Sequence, residues 1–160
     1  MDYFIGIDPG TKKIGFSIIG FDNGYARLID CGTYKVKSKE RSEQLSESFD
    51  FFVKLIGEFN PIRIVVENSF FGKNIKTLVR LTEIKAMAIL AGCREKIDIK
   101  EITPREVKMA LTGNGGTTKE QVAFMVSRLM KCEINGQLDT SDAIAIALCS
   151  AIRDGYFRIS

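Results

Sequence analysis

Four carboxylates stand where chemistry would use them. Asp8 directly follows the apolar run Tyr3 to Ile7, and Glu67 directly follows Ile62, Ile64, Val65 and Val66. If the two runs are parallel neighbours in a sheet, both acids emerge at the same carboxyl edge, where open α/β sheets place their ligands. Asp139 and Asp142 are spaced i, i+3 ahead of Ala143-Ile144-Ala145-Ile146-Ala147-Leu148, so one face of a buried helix would present both at its mouth. Ordinary alternatives exist for three of them. Asp8-Pro9-Gly10 is common turn chemistry, while Asp139 suits an N-cap and Asp142 the acidic first turn of a helix. Glu67 has no such alternative, because a carboxylate at the end of an Ile-Val-Val strand gains little structurally.

Four converging carboxylates repel one another strongly in a partly desolvated site unless protons or cations intervene. The chain has no histidine, which removes Ser-His-Asp and Cys-His catalysis, HExxH zinc sites and every imidazole base. Its four cysteines, Cys31, Cys93, Cys132 and Cys149, form no CxxC pair, and reduced, mostly buried thiols are expected. An oxygen-only donor set favours Mg²⁺, with Mn²⁺ as a substitute. Two such ions about 4 Å apart can activate a water and stabilise the leaving oxygen of a phosphodiester. The formal net charge is only +3. With the four acids assigned to metal, the remaining surface is more positive than that figure and suits a polyanion.

The elements that must position these groups follow from patterning. At 160 residues, 45% hydrophobic and 27% charged, the chain is sized for one folded domain, residues 1–160. Tyr3 to Ile7, Lys13 to Gly20 and Arg27 to Val36 read as an antiparallel meander with a turn at Asp22-Asn23-Gly24. A helix over about Glu43 to Phe59 leads to a second buried strand ending at Glu67, parallel to the first. A long helix from about Ile75 to Arg94, a strand near Ile97 to Ile102 and a helix capped by Thr103 follow. Gly113-Asn114-Gly115-Gly116 breaks the chain before a further helix, and Asp139 to Arg153 forms the last. The expected fold class is α/β, a mixed sheet of five strands, three antiparallel and then parallel, with helices on both faces. On the long middle helix, Ile75, Val79, Ala86, Ile89 and Cys93 share one face and Leu78, Leu81, Ile84 and Ala88 another. One strip can cover the sheet, and the other needs further helices or a second copy. Lys73, Lys76 and Arg80 form a basic edge at its start, which by itself suits a solvated face. No apolar run is long enough for a bilayer and the start lacks a basic leader, so a cytoplasmic protein without membrane contact is expected.

With these residues in hand, the sequence resembles the RuvC family of Holliday-junction resolvases, which have an RNase H-like fold. The resemblance rests on Ile5-Gly6-Ile7-Asp8-Pro9-Gly10-Thr11, Val65-Val66-Glu67 with Phe70-Phe71-Gly72-Lys73-Asn74, and Thr103-Pro104-Arg105-Glu106-Val107-Lys108. It extends to the glycine loop before Lys119 and to Asp139-Thr140-Ser141-Asp142-Ala143. It implies that Asp8, Glu67, Asp139 and Asp142 bind two Mg²⁺ ions per subunit, and that a homodimer nicks opposing strands of a four-way DNA junction. The products would carry 5′-phosphate and 3′-hydroxyl ends. Phe70 falls where the family has an aromatic that stacks or wedges at the junction, and Lys108 and Lys119 match basic residues near the scissile phosphate. Lys119 would stabilise charge there, with Lys73, Lys76 and Arg80 as further DNA contacts and branch-migration proteins as suggested partners. Asn68-Ser69 and Thr140-Ser141 differ from commoner residues at those places, which bears on substrate fine-tuning. Rival readings are a YqgF-type nuclease acting on RNA or hybrids, a phosphotransferase of the actin and sugar-kinase type, and a DNA-binding module without catalysis. The phosphotransferase needs two related domains, and this chain is too short for both.

Overall fold

The computed structural model describes residues 1–68, 74–131 and 138–157, and of residues 138 and 139 the backbone alone. Its strands are β1 (Asp2–Asp8), β2 (Lys13–Asp22), β3 (Tyr25–Lys35), β4 (Arg63–Glu67) and β5 (Asp98–Ile102). Its helices are α1 (Arg41–Phe59), α2 (Ile75–Arg94), α3 (Pro104–Thr112), α4 (Lys119–Met130) and α5 (Leu138–Arg153). The five strands form one sheet in the order β3-β2-β1-β4-β5, antiparallel across β3, β2 and β1 and parallel from β1 through β4 to β5. The expected mixed sheet is what forms, with the edges of several elements moved by one to two residues. β2 and β3 are joined by Asn23 and Gly24, both at positive φ (48° and 84°), the two-residue turn whose twist matches the strands it connects.

The two faces of the sheet carry separate cores. Ile5, Ile7, Ile14, Ile18, Ile64 and Val66 point toward α1 and α2, where Phe52, Leu55, Ile84 and Ala88 meet them. Phe4, Ile19 and Val65 point the other way, toward α3, α4 and the nearly all-apolar α5. Burial of β1 and β4 on both faces explains why they read as continuous hydrophobic runs, whereas β3, at the edge, does not.

Helix entry is set by side chains. Thr103 and Thr118 each make a complete capping box, with Glu106 and Gln121 respectively, which fixes where α3 and α4 begin. Glu47 closes the link between β3 and α1: its carboxylate accepts from the Tyr34 hydroxyl, the backbone amides of Lys37 and Ser38, and the Ser38 hydroxyl. The Ser38 hydroxyl and the Lys37 amide do most to bring the Glu47 carboxyl down to about 2. The cysteines depart from expectation. Cys149 is buried, and desolvation pushes its thiol up to about 12, but Cys31 is half-buried and Cys93 exposed. No helix among the described residues is long and apolar enough to cross a membrane.

Candidate active site

Register brings the first two acids together. Ile7 of β1 is the parallel partner of Val66 of β4, so Asp8 and Glu67, one residue on, end adjacent strands about 4.8 Å apart. Because Ile7 and Val66 face α1 and α2, strand alternation turns Asp8 and Glu67 toward the α5 side.

The third acid arrives from that side by close approach of backbones. The Ala143 carbonyl at the start of α5 accepts a 2.9 Å hydrogen bond from the Ser17 hydroxyl. A Cβ placed on Gly6 would collide with the same carbonyl oxygen. Only glycine at position 6 lets α5 run this near to β1. Asp142, one residue before Ala143, is thereby seated beside Asp8, two residues after Gly6.

A cation lies among the three. Lys119 Nζ donates to Asp142 Oδ2 at 3.1 Å. Burial works against its charge, but the field and hydrogen bond of Asp142, with attraction from Glu67 and Asp8, hold the ammonium above the usual lysine range. Lys119 is the first residue of α4, where the helix dipole disfavours a positive charge. Its place there makes sense against a cluster of carboxylates.

A small cleft joins these groups. Glu67, Lys108, Lys119 and Asp142 line it over an apolar wall that includes Pro104, Val107 and Val122. A broader concavity lies elsewhere among the described residues: about 820 Å³ between β3 and α1, with Asp30, Glu43, Glu47, Asp50 and Glu58 on its walls. That acidic groove is the wrong sign for a phosphate substrate.

The structure therefore gathers Asp8, Glu67, Asp142, Lys108 and Lys119. Asp139 lies in the first turn of α5, its side chain outside the described residues, as are Phe70 and Lys73 altogether. Lys76 and Arg80 are exposed on α2 and do not line the cleft; Arg80 donates instead to Gln44 of α1 at 3.0 Å. Lys85 went unmarked in the sequence. From α2 it bonds Asn68 Oδ1 at 2.9 Å and Glu101 at 2.7 Å, bracing the residue that follows Glu67. The signal available was a charge at i+4 from Leu81 and i−3 from Ala88, on the covered side of the helix.

The donor set is all oxygen, and the Lys119 ammonium lies against it. Among the described residues, no three acidic or cysteine side chains are gathered tightly enough to hold a metal ion as they stand. The chemistry of the set fits a hard divalent ion, with Asp139 as the natural addition from the same helix turn.

A family model described as crossover junction endodeoxyribonuclease RuvC matches residues 4–150. The chain belongs to the RuvC family. The RuvC of Aliarcobacter butzleri is 40% identical over 151 residues, covering 93% of this chain and 97% of that protein. That of Christiangramia forsetii is 35% identical over 157 residues, covering 97% and 82%. The structure of Thermus thermophilus RuvC aligns with a TM-score of 0.87 at 25% identity over 96% of this chain and 97% of that one. The RuvC model spans both parallel strand ends and the start of α5, so the acids lie within the matched region. Membership decides against the YqgF-type and phosphotransferase readings. It also makes this a family of RNase H-like hydrolases, which removes the case for a binding module without catalysis.

Proposed function

We propose that this protein resolves four-way DNA junctions by metal-dependent phosphodiester hydrolysis, nicking two opposing strands to leave 5′-phosphate and 3′-hydroxyl ends. The observation that carries the reading is convergence: Asp8 and Glu67 end adjacent parallel strands, and α5, held to β2 by the Ser17 bond to Ala143, brings Asp142 with its Lys119 partner to the same edge. A fold pays to hold three carboxylates together only if something positive is to be bound. The solved Thermus thermophilus RuvC in complex with Holliday junction substrate supports the substrate class.

Asp8, Glu67, Asp142 and Asp139 would hold two Mg²⁺ ions per subunit, with Mn²⁺ able to substitute. Bound there, the ions supply Lewis acidity toward the attacking water and the departing 3′-oxygen. The protein's own groups do the rest. Lys119, tethered to Asp142, is placed to move its charge onto the scissile phosphate, a compensation worth the most in a cleft that excludes water. Lys108 lies across the cleft on α3 and holds the same phosphate from the other side. Phe70, three residues after Glu67 in the sequence, would stack on an unpaired base at the junction centre, an interaction of about 1–3 kcal/mol. Lys76 and Arg80, exposed on α2, contact the backbone farther out, and the sequence adds Lys73 to the same role.

Two nicks require two sites, and α2 supplies a surface for a second copy. Ile75, Val79 and Leu90 are 77%, 46% and 49% exposed along its outer side. Such a row of bared apolar residues on one helix marks an association face. We assign it to a homodimer, delivered to junctions in the cytoplasm by branch-migration proteins.

The deciding experiment incubates purified protein with a labelled mobile four-way junction in Mg²⁺ and in EDTA, beside duplex and RNA–DNA hybrid controls. Paired, ligatable nicks in the junction with Mg²⁺ alone are expected. Equal cutting of hybrid or plain duplex would overturn the assignment.

A further inference from the structure

Lys13 and Lys35 are Cα partners across β2 and β3, and both are exposed. Like charges directly opposite in an antiparallel pair are destabilising. Lys12 precedes this pair and Lys37 and Lys39 follow it, all exposed. The Val36 amide donates to the Lys12 carbonyl at 2.9 Å, so the loop after β1 and the end of β3 form one unit. None of these five lysines joins an ion pair among the described residues, whereas Arg41, Arg63, Lys85, Lys119 and Arg153 all do.

Their place in the sheet gives the unneutralised charge a direction. Asp8 pairs with Gly15, two residues from Lys13. Alternation along β2 sets Lys13 on the same face as Ser17, whose hydroxyl reaches the start of α5. Lys13 and Lys35 thus flank the acids from the β2–β3 side, opposite Lys108 and Lys119 on the α3–α4 side. Behind them, the acidic groove between β3 and α1 repels phosphate and bounds the positive strip.

We propose that Lys12, Lys13, Lys35, Lys37 and Lys39 form a second phosphate-binding track, along which the DNA backbone runs from the acidic cleft across the ends of β2 and β3. The proposal rests on the junction-nuclease reading and adds the path that an arm takes out of the site. DNA is the occupant the position favours, because Lys13 and Lys35 share the sheet face and strand-end edge that carry Asp8, where the proposed reaction places a phosphodiester. Repulsion between Lys13 and Lys35 is then the cost of a surface made to meet polyanion, relieved when the DNA is bound.

The test measures junction affinity in EDTA, where no cutting occurs, as a function of salt. In the Lys13→Thr/Lys35→Thr variant, threonine keeps the strand preference while removing both charges. The slope of log affinity against log salt should fall by roughly two, and affinity near 0.1 M salt by tens-fold. The free variant should melt at or above the wild-type temperature. Lys37→Ser/Lys39→Ser, changed outside the strands, should also lower the slope. Unchanged slopes in both variants would overturn the proposal, as would a lower melting temperature for Lys13→Thr/Lys35→Thr, which would make the pair structural. A wild-type protein that bound no junction would instead remove the nuclease reading itself.

Discussion

Asp8, Glu67 and Asp142 illustrate how a site can be costly to fold and still be kept. Asp8, Glu67 and Asp142 all act on the Lys119 ammonium, and carboxylates brought this close also repel one another. Asp8→Asn should therefore stabilise the metal-free protein, raising its melting temperature in EDTA by about 2–4 °C, the size of roughly 1 kcal/mol for a chain this long. The same variant should bind a junction yet fail to cut it. A melting temperature unchanged or lowered in EDTA would show that the contacts Asp8 makes outweigh its repulsion by the neighbouring acids. Lys119→Met should lower the cleavage rate by about 10²–10³, the usual loss when one charge-stabilising donor is removed, with junction affinity nearly kept. Cleavage at the wild-type rate would return Lys119 to the role of a tether for Asp142. The acids were legible in sequence because each ends or begins an element of plain hydrophobic pattern. Lys85 was not, because its partners Asn68 and Glu101 come from other elements and only packing brings them to it.

At the scale of elements, the β2–β3 turn, the parallel β1–β4 pair and the limits of α2 could be read from period and punctuation. The distance between α5 and β1 could not, since a glycine in a strand says only that something comes near. The structure names it: the Ala143 carbonyl. Gly6→Ala should force α5 outward, costing about 1–3 kcal/mol as overpacking does, and should depress cleavage more than junction affinity because Asp142 moves with the helix. Equal stability and activity would mean that α5 has slack here. Glu47 gives a second prediction. Its carboxyl is lowered from 4.5 to about 2, so its contribution is present above the unfolded value and fades as pH falls from there toward about 2. Glu47→Gln should therefore melt below wild type at neutral pH, with the gap closing under acid titration. A gap that stayed constant down to pH about 2 would assign the effect to lost geometry and not to charge.

For the whole molecule, charge and apolar surface are segregated in a way the totals hide. A net charge of +3 conceals a strip of lysines beside the acidic cleft and an acidic groove behind it, and only the register between β2 and β3 reveals that Lys13 faces Lys35. Both apolar strips of α2 were visible as patterns, but only the layering settled which is covered: Ile84 and Ala88 are buried against the sheet, and the strip that begins at Ile75 and Val79 is left outside. Ile75, Val79, Thr82, Ala86, Ile89 and Cys93 recur at alternating steps of four and three, the spacing of a helix that meets another along a seam. Two such helices in antiparallel or parallel contact would place two acidic clefts on one particle, which is what paired nicking demands. Val79→Glu sets a charge in the middle of that seam without touching either core. It should turn a dimer into a monomer by sedimentation or light scattering, leave melting of the monomer cooperative, and convert paired resolution into accumulation of singly nicked junctions. A variant that stays dimeric, or a monomer that still cuts both strands in one binding event, would separate resolution from the α2 face and require the second site to come from elsewhere on the surface.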